Sequence, residues 1–215
     1  MKKLSQSLLI ALVALALGSH VALANPSEAL ISQYNQAASG DEELVTPVVD
    51  SLTQLIDQQG AEPLTLVYLG SGQTLQGRDA FWPWTQMKLV EKGLATIDKG
   101  LNLLSTQTTP VAEQEIIMGL PDSYLARAIA ATTYSQLPDM FNHFERGYDL
   151  YIGLLEEPYM QQAPFEATAW IYSYAIEAAL RAQDIKQAKL WQQVMEKRNP
   201  DHMETIKSKS LIDKA

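Results

Sequence analysis

Residues 84–104 read WTQMKLVEKGLATIDKGLNLL, and the spacing inside this stretch decides the fold class. Met87, Val90, Leu94, Ile97, Leu101 and Leu104 recur at steps of three and four, while Lys88, Glu91, Lys92, Asp98 and Lys99 fill the opposite side. Such steps put the apolar groups on one face of a helix, so the stretch predicts one long amphipathic helix. Gly93 and Gly100 lie one heptad apart beside Ile97, which predicts that a neighbouring helix approaches closely there.

Outward from this stretch the same period continues. Phe141, Phe144, Tyr148, Tyr151 and Leu155 predict a helix near 139–156, and Ile185, Ala188, Trp191 and Met195 predict one near 184–197. Leu-Pro-Asp occurs at 120–122 and again at 137–139. Proline stops the helix before it, and the aspartate is expected to cap the helix after it. Between them, Ala126, Ala128, Ala130 and Ala131 make a helix that is small on all sides, suited to the middle of a stack. Further breaks are expected at Gly40, Gly60, Gly77, Pro110, Pro158, Pro164 and Pro200. No segment alternates with period two, so the expectation is all-α: about nine helices, short turns and almost no strand.

The N-terminus reads as an export leader. Lys2 and Lys3 precede an apolar run, Leu8 to Leu17, and Ala22-Leu23-Ala24 supplies small residues where a leader peptidase reads them. The run is too short for the roughly 20 apolar residues of a membrane span, so residues 1–24 are expected to be cleaved. Residues 25–215 would then form a single domain in the periplasm, with no stable membrane insertion. Cleavage removes Lys2, Lys3 and no acid, leaving 14 basic and 25 acidic residues, a net charge of −11. That balance disfavours nucleic acid and permits a basic partner surface. The chain has no cysteine, which removes disulfides, thiolate metal sites and a cysteine nucleophile together.

Helix pairs in a chain of this length raise the question of repeats. Within 164–200, Tyr172, Ala175 and Ala179 mark a first helix and Ala182-Gln183-Asp184 a turn. Ala188, Trp191 and Met195 mark a second helix, closed by Pro200. An earlier pair has Leu69-Gly70, then Gly77 at the expected turn, then Gly93, Ile97 and Gly100 about eleven residues late, with Arg78-Asp79-Ala80-Phe81-Trp82-Pro83-Trp84 inserted. Eleven residues make about three helical turns, so the insertion can keep phase. Gly147, Tyr151 and Leu154, followed by Pro158, repeat the roles in the middle. Over 63–200 the chain thus resembles the tetratricopeptide-repeat family, in the form of exported members with a GR-DAFWPW segment in their first unit. Met195 is bulkier than the family's usual alanine. The resemblance implies helical hairpins in a short right-handed superhelix, a concave groove for protein surfaces, no chemistry or cofactor of its own, and company with envelope export or transport machinery.

Phe81, Trp82 and Trp84, with Tyr68 and flanked by Arg78 and Asp79, are the first candidate site. Aromatics beside an arginine are the composition of an interface hot spot, and they equally suit a cap on the end of the stack. Trp170 and Tyr174, one turn apart, are the second candidate, either packed between helices or exposed to a ligand. His143, Glu145 and Arg146 are expected on a solvated face. His143 and His202 are the histidines left after cleavage, neither in a metal-binding pattern, so no metal site is expected. Gly70-Ser71-Gly72 lacks a nucleophile-elbow spacing and suits close helix packing. Two functions follow: a periplasmic scaffold binding a protein partner, such as a transporter component, or a hydrolase of envelope material with carboxylates brought together by the fold. A helical protein holding a small ligand is a third.

Overall fold

The computed structural model describes residues 25–215; the leader assigned to 1–24 lies outside the described residues. Ten α-helices follow in order: α1 (Glu28–Ala38), α2 (Glu42–Gln59), α3 (Pro63–Asp79), α4 (Pro83–Ser105) and α5 (Asp122–Gln136). The second half carries α6 (Phe144–Leu155), α7 (Pro158–Gln162), α8 (Phe165–Arg181), α9 (Ile185–Arg198) and α10 (Met203–Ile212). The chain is all-α as its periodicity predicts. Two elements fall outside the expectation. Ile116–Ile117 (β1) and Leu120–Pro121 (β2) form a two-residue antiparallel ladder, Ile117 opposite Leu120, around Met118 and Gly119, both at positive φ. The helix expected from 139 starts at Phe144, because Asp139–Phe141 is a single 3-10 turn that the left-handed Asn142 ends.

The α3–α4 hairpin is the frame of the molecule. A Cβ built on Gly70 would stand 2.5 Å from the Gly93 carbonyl oxygen, and one on Gly93 would stand 2.5 Å from that of Gly70. Gly100 faces the Pro63 carbonyl and Gly77 that of Gln86. The partner numbers fall on one helix as they rise on the other, so the helices run antiparallel, backbone nearly on backbone. Gly77, expected at the turn, is instead inside α3, where a side chain would meet Val90 at 2.6 Å. The turn falls at 80–82, with Pro83 at the start of α4, where its missing N–H loses no helical bond. Of residues 78–84, Arg78 and Asp79 end α3, 80–82 make the turn, and Pro83 and Trp84 start α4, the two helices running to 17 and 23 residues.

The alanine-rich α5 lies in the middle, packed on α3, α4, α6 and α8, with Ala126, Ala128, Ala130 and Ala131 fully buried. The aspartates of the two Leu-Pro-Asp signals do not cap helices: Asp122 is the first helical residue with its carboxylate turned to Asn25, and Asp139 pairs with Arg181. In both places proline fixes the extended residue before the helical turn, and the aspartate is left for tertiary partners. On α9, Ala188, Trp191 and Met195 are buried as their spacing predicts, and Trp191 meets Tyr148 edge to face.

Asp184 does two jobs at the α8–α9 turn. Its carboxylate accepts from the Gln187 N–H, capping α9, and from the Tyr148 hydroxyl at 3.1 Å, tying α9 to α6. Asp184→Ala removes both bonds and should destabilise by about 2 kcal/mol. Thermal melting followed by circular dichroism should then show a midpoint lower by roughly 4–8 °C for a domain of this size.

Candidate functional site

Where α1, α3, α4, α5 and α8 converge they leave a cleft of about 780 Å³. One wall is Thr74, Leu75 and Arg78 of α3 with Gln86, Met87 and Val90 of α4; the other is Thr132, Thr133 and Gln136 of α5 with the segment from Leu137 to Phe141. Tyr34 of α1 and Tyr174 of α8 complete it. The walls are mostly apolar, and the polar points are hydroxyls and amides. Ser71 and Thr133 share a hydrogen bond of 2.7 Å, and the buried Tyr34 phenol reaches the same pair. Burial pushes that phenol up to about 12, so it stays protonated at neutral pH. Arg78 is the one charged residue of the lining. An apolar concavity with a few fixed hydroxyls has the composition usual for a ligand-binding cleft.

The rim explains the aromatic cluster. Phe81, Trp82 and Trp84 stand at the tip of the α3–α4 hairpin, exposed at 84%, 53% and 66%. Trp82 and Trp84 stack with centroids 4.8 Å apart, and Phe81 meets Trp82 edge to face at 4.9 Å. Pro83, between the two tryptophans, lines the cleft, so the three rings stand next to it in sequence without lining it. Met140, exposed at 70%, lies on the opposite margin. The three rings are mostly exposed and touch one another.

The other candidate residues separate. Arg78 lies in the wall, but its guanidinium donates to the carbonyls of Ala37 and Ala38 and pairs with Asp79 at 2.5 Å. It thereby closes the C-terminal end of α1 onto α3, so Arg78 and Asp79 serve the frame first. Tyr174 reaches the cleft; Trp170, edge to face with it at 6.4 Å, is half-buried and outside the lining. Tyr68 is not a contact residue at all: it is 1% exposed and packs edge to face under Tyr34, backing the cleft wall. An aromatic six residues into a helix that is buried on nearly every side has no route to a partner.

The cluster at His143 also differs from expectation. Only Glu145 is fully exposed. His143 hydrogen-bonds the Phe141 carbonyl and packs on Tyr134, while Arg146 lies 4.9 Å over the Tyr134 ring and pairs with Asp98. The Tyr134 hydroxyl donates to the same Asp98, so the group staples α4, α5 and α6 together. Among the described residues no group of three or more His, Asp or Glu is arranged to hold a metal ion, and no helix is long and apolar enough to cross a membrane.

Sequence reasoning missed Tyr34, Met87, Thr133 and Met140 as site residues. Each belongs to a different segment, and no local spacing joins them. No family model, curated protein or solved structure matches the chain.

Proposed function

We propose that this protein is an exported helical scaffold of the cell envelope that holds a protein partner in the α3–α5–α8 cleft, gripped by the Phe81–Trp84 lip. In this reading α3–α4, α5–α6 and α8–α9 are tetratricopeptide-type hairpins, the setting is the periplasm, and the partner belongs to an export or transport assembly. The observation that carries it is the aromatic cluster itself: three large, mostly exposed rings in contact with one another, beside a proline that lines an apolar cleft. Covering a large aromatic side chain is worth about 1.5–3 kcal/mol, so such a group is stabilised by whatever docks against it. Net negative charge on the chain favours a basic partner surface around the apolar contact.

A photo-crosslinking amino acid tests the placement. Introduced at Met87 or Met140 it should yield one discrete adduct in envelope extracts, and at the exposed Lys99 on the far side of α4 it should not. The same adduct from Lys99, or none from either cleft position, would exclude the cleft as the docking face.

A further inference from the structure

Two carboxylates from separate segments, Glu115 and Asp122, share the side-chain amide of the first described residue, and the charge of Asp122 reaches a third, Glu62. Glu62 precedes α3, Glu115 precedes the β1–β2 hairpin and Asp122 follows it, the hairpin bringing the Asp122 N–H to the Glu115 carbonyl at 2.9 Å. The Asn25 side-chain amide donates to Glu115 at 2.8 Å and to Asp122 at 3.3 Å. Asp122 is 8% exposed, and its Oδ1 is buried with no hydrogen-bond partner among the described residues. Burial, with the Glu115 charge, pushes the Asp122 carboxyl up against the opposing hydrogen bonds from the Asn25 amide and the Ser123 backbone, and burial with the Asp122 charge pushes Glu62 up. Among the described residues no lysine or arginine acts on either one. A buried carboxylate in this position is strongly disfavoured unless a cation reaches it.

We propose that this pocket is the seat of the mature N-terminus, whose α-ammonium on Asn25 pairs with Asp122 and its two acidic neighbours. The proposal rests on the reading of residues 1–24 as a cleaved leader. Hydrolysis of the Ala24–Asn25 amide breaks its C–N bond. The oxygen of water goes to the Ala24 carbonyl carbon, which leaves as a carboxylate, and the nitrogen keeps its proton and gains two, becoming –NH3+. An uncharged amide with a single N–H is thereby exchanged for a cation with three donors. That nitrogen is four bonds from the Asn25 amide nitrogen already held by Glu115 and Asp122, so it lies within about 5 Å of it. The pair ties the start of α1 to the starts of α3 and α5, and the fold becomes firmest only after processing.

The test compares residues 25–215, which carry every described contact, with a free Asn25 amine and with the same amine acetylated. The free form should melt higher by roughly 4–8 °C, and in Asp122→Asn the two forms should melt together. Equal melting of the wild-type pair, or a difference that survives Asp122→Asn, overturns the pocket. Should Asp122→Asn not fold, titration of the wild-type α-amine by nitrogen NMR decides, the facing titratable groups being Glu62, Glu115 and Asp122. Its pKa should lie above the ordinary value of about 8, and an unshifted value overturns the proposal. The intact mass of the exported protein checks the foundation separately. A start other than Asn25 overturns the leader reading and the proposal with it, whereas equal melting of chains that do start at Asn25 overturns the pocket alone.

Discussion

Gly93→Ala should lower the melting temperature of residues 25–215 by roughly 5–10 °C, the effect of about 2–3 kcal/mol in a domain of this size. The sign is not obvious, because alanine in place of a helical glycine ordinarily stabilises by about 1 kcal/mol. Contact geometry decides it. The new methyl would stand 2.5 Å from the Gly70 carbonyl oxygen, 2.7 Å from Thr74 Cγ2 and 2.9 Å from the Thr74 nitrogen. Two of these three atoms are backbone and cannot rotate aside, so α3 and α4 must separate along their length. Gly100→Ala meets the Pro63 carbonyl at 2.8 Å near the open end of the hairpin and should cost less. Gly153 provides the control on α6: a methyl there meets only the flexible Arg127 guanidinium, at 3.5 Å, so Gly153→Ala should melt at or above wild type. If Gly93→Ala also melts at or above wild type, the helices are farther apart than the hairpin geometry requires. Circular dichroism on the three variants reads the whole series.

The same pair of helices shows what a sequence discloses about a fold and what it withholds. The stripe from Met87 to Leu104 is long enough for its period to leave one choice, and a heptad of glycines within it has no use on a solvated helix. Both therefore point to a packed α4. Gly77 carried the opposite message, because a glycine near the expected end of a helix looks like a turn. Its actual role, making room for Val90, depends on a register that only the paired helix supplies. Asp122 and Asp139 misled for a related reason. A local cap and a tertiary ion pair call for the same residue after the same proline, and the deciding partners, Asn25 and Arg181, lie far away in sequence.

The candidate site was legible in its lip and not in its interior. Phe81, Trp82 and Trp84 are contiguous and bulky, so their grouping is local information. The cleft is built from small sets of residues on five helices and the segment after α5, and Tyr34 reaches Thr133 beside Ser71 of α3. Tyr68 shows the converse error. It has the composition of a contact residue, but depth within the fold governs whether an aromatic touches a partner, and composition does not encode depth. Position along α8 separates Tyr174, which lines the cleft, from Trp170 one turn earlier, though both are half-buried.

Replacing Trp82 and Trp84 together by alanine should weaken partner binding at least a hundredfold while moving the melting temperature by no more than about 2 °C. The two halves have separate grounds. Stability is spared because both rings are more than half exposed and lean chiefly on each other, and the bonds that fix the turn are elsewhere. Gln86 donates to the Ala80 carbonyl at 2.6 Å, and the N–H groups of Thr85 and Gln86 both reach the backbone oxygen of residue 82, which alanine retains. Binding is lost because a central aromatic in an interface commonly carries 2 kcal/mol or more, and about 1.4 kcal/mol is a factor of ten. Two such residues that act as one stacked unit need not contribute additively, which is why the expectation is set at a hundredfold and not higher. Phe81→Ala, removing the outermost ring, should give a smaller loss. Titration of the purified partner against each variant, beside its thermal melt, separates the possibilities. A variant that melts many degrees early shows that the rings hold the hairpin tip, and loss of binding would then be only a consequence. A variant that is stable and binds like wild type removes the lip from the site and leaves the cleft walls around Met87, Thr133 and Tyr174 as the surface to test.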